Sequence, residues 1–177
     1  MRRLAYLLLI VSFLLQCDST DDEVVVPSIY NGEASVSING IFSEFELLAE
    51  SYDQEVTDSI YLLLRKLDRY GRKLAGIGFR NVGMSQEKQV LLPFPNDDNS
   101  ASTASYSTSD EDVILSSYTV LQTDTISDYI QLTQFQFGQD TVVGEFRFSA
   151  VVRPNSDIDQ SVGRSFEAVG EFWFVLD

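Results

Sequence analysis

Histidine is missing from the 177 residues, cysteine and tryptophan each occur once, and proline occurs four times. Without histidine there can be no Ser-His-Asp triad, no Cys-His pair and no histidine zinc site, and one cysteine excludes a multi-cysteine zinc site and an intrachain disulfide. Cations are scarce, with 12 Lys and Arg against 27 Asp and Glu, a formal charge of -15. Phosphate recognition needs clustered positive charge, so nucleic acid is not an expected partner. No cofactor motif is found, and none is expected to be bound. Long apolar runs are nearly absent too. The single one, Leu4 to Leu15, is interrupted only by Tyr6 and Ser12 and follows Met1-Arg2-Arg3. It is shorter than the roughly 20 residues a membrane-spanning helix requires, and reads as a secretory signal removed on export.

Apolar residues make up 44% of the chain and aromatic ones 12%. That is too hydrophobic for disorder throughout, and a domain of this size buries about two thirds of its surface on folding. The length suits one domain.

Leu14-Leu15-Gln16-Cys17 closes the apolar run. It resembles the lipobox of bacterial lipoproteins, although Gln16 stands where the general pattern favours a small residue. The resemblance implies that residues 1–16 are a lipoprotein signal peptide and that Cys17 becomes an acylated N-terminus, holding the protein to a membrane. Loss of Arg2 and Arg3 leaves 10 cations against 27 anions, a charge of -17. Asp18-Ser19-Thr20-Asp21-Asp22-Glu23 is similar to the acidic signal that sends Bacteroidetes lipoproteins to the outer face of the outer membrane. The alternative is a solvated acidic tether on a lipoprotein facing the periplasm. Residues 17–32 are thus expected to form a lipidated N-terminus with a flexible acidic tether, and residues 33–177 the folded domain.

Within that domain Ala34 to Ile38 alternates apolar and small polar residues, Asn39-Gly40 supplies a type I′ turn, and Ile41 to Leu47 returns. This predicts a hairpin. A second hairpin is expected from Ser59–Leu67 and Lys73–Arg80, with glycine-linked bulges in the returning strand. Further strands are expected at Gln89–Leu92, Val113–Leu121, Asp128–Phe137, Thr141–Val152 and Phe166–Leu176. Pro95 to Asp112, rich in Ser, Thr, Asn and Asp, reads as a loop with at most a short edge strand. The expected fold is all-β, an antiparallel β-sandwich of about eight or nine strands.

Val143-Gly144-Glu145-Phe146-Arg147-Phe148 is echoed by Val169-Gly170-Glu171-Phe172-Trp173-Phe174. Alternation predicts that the phenylalanines of both copies face the core, as two similar strands of one sheet. Together with Ser37-Ile38-Asn39-Gly40 and Tyr129-Ile130-Gln131-Leu132, these elements resemble a family of Bacteroidetes lipoproteins of unknown function, the DUF6252-like group, over roughly residues 33–177. The resemblance implies an all-β domain and brings no catalytic residues.

Candidate chemistry is sparse. Trp173 either offers an aromatic platform to a sugar ring or packs on a second apolar face with Val175, and packing is the expectation. Asn155, Asp157 and Asp159 supply hard oxygen ligands suited to calcium at alternate positions, but without the glycine and distal glutamate of an EF-hand loop; a polar turn between the last two strands explains them without metal, and that is the expectation. Asn96-Asp97-Asp98-Asn99 has the same two readings. Arg65, Lys66, Arg69, Arg72, Lys73, Arg80 and Lys88 form a basic stretch that either meets an anionic partner such as lipopolysaccharide or protects a sheet edge. Asp-Ser/Thr-apolar triplets beginning at Asp18, Asp58, Asp124 and Asp140 resemble the O-glycosylation acceptor of Bacteroidetes. No local signature selects a pair of glycosidase carboxylates. The expectation is a lipid-anchored, non-enzymatic protein of the outer membrane or cell surface that binds glycan or protein. The alternatives are a structural lipoprotein facing the periplasm and a carboxylate-dependent glycan hydrolase.

Overall fold

The computed structural model describes residues 28–51, 59–93, 101–110, 113–121, 127–134 and 140–176. The leader, Cys17, the acidic segment after it and Asn96-Asp97-Asp98-Asn99 lie outside the described residues. Among the described residues every regular element is a strand: β1 (Ser28–Ile38), β2 (Ile41–Ser51), β3 (Ser59–Leu67), β4 (Lys73–Gly83), β5 (Gln89–Val90), β6 (Leu92–Pro93), β7 (Thr103–Asp110), β8 (Val113–Val120), β9 (Tyr129–Gln134), β10 (Thr141–Val152) and β11 (Ser165–Val175). Residues 28–32, assigned above to the tether, belong to β1.

The all-β, antiparallel expectation holds, but the strands close on themselves. Eight of them follow one another in the order β1-β2-β3-β4-β7-β8-β10-β11, and β11 pairs back with β1 from Gly32↔Phe174 to Ile38↔Ala168. Closure leaves no free edge around this circuit. The physical reason lies in residues 103–110. β7 is a full strand between β4 and β8, and it joins what would otherwise be two separate sheets. Its inward positions are Ala104, Tyr106 and Thr108, all buried. The short edge strand expected in this segment is therefore an interior strand.

β10 changes partner along its length. Its first half pairs with β9, from Val143↔Gln134 to Arg147↔Tyr129, and its end pairs with β8, from Ala150↔Val120 to Val152↔Tyr118. Asp128, 3% exposed, fills the change-over: a carboxylate oxygen accepts the Ser149 N–H at 2.7 Å. β5 and β6 continue the wall there, β5 on β9 and β6 parallel on β7.

Asn39 and Gly40, with φ of 50° and 82°, form the expected turn between β1 and β2. Positive φ at both central residues matches the right-handed twist of the flanking strands. The irregularities of β3 and β4 fall between Ile60 and Leu62 and between Lys66 and Leu67, away from Gly76 and Gly78.

An eight-stranded barrel is just wide enough for side chains to fill. Phenylalanines fill this one. Phe79 lies 4.8 Å from Phe146 and 5.9 Å from Phe148, Phe148 lies 6.3 Å from Phe166, and Phe166 lies 5.2 Å from Tyr118, ring centre to ring centre. Each such buried ring contributes about 1.5–3 kcal/mol relative to an exposed one. The end of the barrel carrying the β1–β2, β3–β4 and β7–β8 turns is crossed by residues 153–164, the strap between β10 and β11. Tyr118 pins it: its hydroxyl donates to the Gly163 carbonyl at 2.9 Å and accepts the Asp159 N–H at 3.0 Å.

Candidate functional site

β11 alternates without a slip. Phe166, Ala168, Gly170, Phe172 and Phe174 point inward, so Glu167, Val169, Glu171 and Trp173 point outward. Trp173 is 41% exposed. The expectation that it packs on a second apolar face is corrected, because a closed barrel has one interior and Trp173 is out of phase with it. Its neighbours across the ladders are Glu33 of β1 and Val143 of β10.

Carboxylates surround the indole. Glu33, opposite Trp173, is itself opposite Glu46 across β1–β2. One pleat nearer the strap, Ser35 lies between Glu44 of β2 and Glu171 of β11, and Glu171 is directly opposite Glu145 of β10. Five glutamates on four adjacent strands therefore share one outer face, and two pairs of them stand directly opposite each other. Like charges in that position destabilise a sheet.

Partial compensation comes from two sides. Arg65 donates to Glu46 at 3.2 Å. The Tyr129 hydroxyl donates to Glu145 at 3.0 Å, and burial, helped by that bond, raises its pKa. Among the described residues no cation pairs with Glu33, Glu44 or Glu171. These three carboxylates, with Ser35, Val143 and Trp173, line a groove of about 210 Å³. An exposed aromatic face beside acceptor-only carboxylates suits a ring with one apolar face and outward hydroxyls.

The remaining candidates are dispersed. Within the basic stretch Arg65 pairs with Glu46, Arg72 with Asp68 at 2.8 Å, Arg69 lies over the Tyr70 ring, and Lys88 lies 3.5 Å from the Tyr129 ring centre. β3 and β4 have a partner on each side, so protection of a sheet edge is not the role of these cations. Asn155, Asp157 and Asp159 lie on the strap. Asp159 directs one carboxylate oxygen to the backbone N–H and hydroxyl of Ser161, at 2.8 and 2.7 Å. Among the described residues no three Asp, Glu, His or Cys side chains gather as a metal site. Of the four acceptor-like triplets, Ser59 is exposed at the start of β3 and Thr141 half-buried at the start of β10. The other two lie outside the described residues.

Sequence reading located Trp173 but missed Glu33, Glu44, Glu46, Glu145 and Glu171 as a group. Each alternates with core residues in its own strand, which marks it as outward-facing; only the register shows that they converge. No family model matches the chain, and neither a curated protein nor a solved structure matches it.

Proposed function

We propose that this protein is a lipid-anchored lipoprotein of the outer membrane, displayed at the cell surface, whose barrel wall binds glycan without catalysing its cleavage. The lipobox-like Leu14-Leu15-Gln16-Cys17 and the acidic segment after it support the anchor and the location. β1 starts at Ser28, at the end of the barrel away from the strap, so a chain tethered through Cys17 presents its wall and its strapped end outward. Two or three acyl chains give stable attachment where one gives only marginal binding.

The binding reading is carried by one observation, the exposed Trp173 ring in a groove with three carboxylates that no cation among the described residues pairs with. A sugar ring stacks its apolar face on the indole while its hydroxyls donate to Glu33, Glu44 and Glu171. The groove lies on the outer wall, open to water, rather than in a closed cleft where general acid-base chemistry is favoured. That placement supports recognition over hydrolysis.

The test is a glycan array probed with the folded chain and repeated with Trp173→Ala. Binding to a defined set of glycans that Trp173→Ala abolishes is the expected result, and an array without signal sinks the reading. The anchor is tested by fractionation and mass spectrometry: Cys17→Ala should release the protein from membranes, and an unacylated residue 17 in the native protein would refute it.

A further inference from the structure

The two ends of the barrel interior differ in chemistry. Toward the strap, inward positions that elsewhere hold Leu, Ile and Phe carry Ser43, Lys66, Thr108 and Ser116. Lys66 continues the inward series of Leu62 and Leu64, and its Nζ donates to Ser43 Oγ at 2.9 Å. Among the described residues it forms no ion pair. The hydroxyls of Thr108 and Ser116 satisfy one another.

Tyr106 is the exception. It is 4% exposed, with its ring 5.7 Å from that of Tyr118 and 5.0 Å from that of Phe166. Its hydroxyl has no hydrogen-bond partner among the described residues, whereas that of Tyr118 has two. Burial first, and then the nearby Asp159 carboxylate and Tyr118, raise its pKa, so it stays a neutral O–H. The ring is buried, but its hydroxyl oxygen is open to solvent and so bonds whatever water or ligand stands beside it. Here a cavity of about 400 Å³ opens beside it, between the strap and the ends of β3, β4, β7 and β8. The same cavity is lined by Lys66, by the carboxylates Asp157 and Asp159, and by the apolar side chains of Leu74, Leu115 and Ile158. Its volume is in the range of small-molecule sites.

We propose that this strapped mouth is a second binding site, separate from the Trp173 groove, and that it takes a small hydroxycarboxylate. Lys66 receives the carboxylate. At the other end Tyr106 and Asp159 receive a hydroxyl, which answers both of them: it donates to the Asp159 carboxylate and accepts from the Tyr106 O–H. An ammonium there has no lone pair with which to accept from Tyr106. Leu74, Leu115 and Ile158 cover the carbon skeleton. Because Tyr118 already pins the strap, the site is formed before the ligand arrives.

Such a ligand is either a free hydroxy acid or the uronic acid end of a saccharide, and calorimetric titration of the folded chain separates them. The probes are glucuronate, gluconate and lactate, with glucose lacking the carboxylate and alanine lacking the hydroxyl. Glucuronate alone among the acids points to a saccharide end, gluconate or lactate to a free acid, and either outcome supports the site. Glucose and alanine should bind at least about tenfold more weakly. Lys66→Met should weaken binding by about tenfold or more, and Tyr106→Phe by roughly five- to tenfold while leaving the urea midpoint where it was, since the lost hydroxyl held nothing. Amide shifts at Asp159 and Ser161 should report the binding. The proposal is overturned if the folded protein binds none of the three acids up to about 10 mM. It is equally overturned if Lys66→Met and Lys66→Gln, both folded, bind as the parent does. Trp173→Ala should leave this binding intact; if it abolishes binding while Lys66→Met spares it, the ligand belongs to the outer groove and the mouth site falls.

Discussion

The ring of Phe172 lies over Gly144, its direct partner across the β10–β11 ladder. A Cβ placed on Gly144 would come within 2.3 Å of that ring and 2.8 Å of the Gln131 carbonyl oxygen. The converse contact exists two residues along, where Phe146 covers Gly170. The two copies of the Gly-Glu-Phe sequence pair with each other antiparallel, so the glycine of each copy makes room for the phenylalanine of the other. Gly144→Ala must therefore displace a core ring against a backbone oxygen that cannot yield. The expected loss is about 1–3 kcal/mol, or a fall in melting temperature of roughly 2–4 °C for each kcal/mol. Urea denaturation measures it, and an unchanged midpoint would mean that the ring is free to move aside.

That repeat was legible in sequence as two strands of one sheet, but the exchange of glycine for phenylalanine depends on register, which local pattern does not encode. The β1–β2 hairpin was legible because Asn39-Gly40 specifies its own turn. β7 was not. Thr103-Ala-Ser-Tyr-Ser-Thr-Ser-Asp110 has the composition of a loop, and it is held as a strand by ladders on both edges and by Tyr106 in the core. Reading it as a loop left two sheets where there is one closed wall. The same reading hid the exposure of Trp173: a second apolar face was expected for it, and on the barrel its outer face meets solvent beside Glu33 and Val143.

The pairing of Glu171 opposite Glu145 is a fixed consequence of the repeat, and it works against the sheet. Glu171→Gln should stabilise the fold by about 0.2–1 kcal/mol. Added salt should narrow the gap between variant and parent, because screening weakens the repulsion that the substitution removes. The same change should weaken glycan binding, since an acceptor-only carboxylate becomes an amide. A variant that is more stable and binds less would fit a site retained at the expense of stability. Parallel denaturation and array measurements decide it, and a less stable variant would contradict the repulsion.

Asp68 holds the β3–β4 turn. One carboxylate oxygen accepts the N–H groups of Tyr70 and Arg72 at 2.8 and 2.9 Å, and the other accepts the Arg72 guanidinium at 2.8 Å. The Arg72 backbone bond foremost lowers its pKa below the ordinary 3.8. A carboxylate depressed on folding adds stability that is present above the unfolded pKa and is lost as pH falls through the folded one. Asp68→Asn should therefore be less stable than the parent near about pH 7, and the difference should shrink as pH is brought below about 3.8. Urea midpoints of both proteins across that range provide the check. A difference that stays constant into acid would show that the Asp68 charge is not what holds the turn.

Two tyrosines paired across one ladder, Tyr106 and Tyr118, should respond differently to loss of a hydroxyl. Tyr118 is fully buried, and its hydroxyl is the strap's anchor, donating to Gly163 and accepting from Asp159. Tyr118→Phe leaves a carbonyl and an N–H of the strap without a partner, at a cost of about 1–3 kcal/mol. The loss is local in kind: the rings of Tyr106 and Phe166 still pack against residue 118, so the barrel should stay folded while residues 153–164 loosen. Amide exchange should thus accelerate at Asp159 and Gly163 more than in β10 or β11. Tyr106→Phe, which removes a hydroxyl that holds nothing, should leave both exchange and stability unchanged. Equal destabilisation by the two substitutions would mean that the Tyr106 hydroxyl is already engaged, and that the mouth is closed by the protein itself.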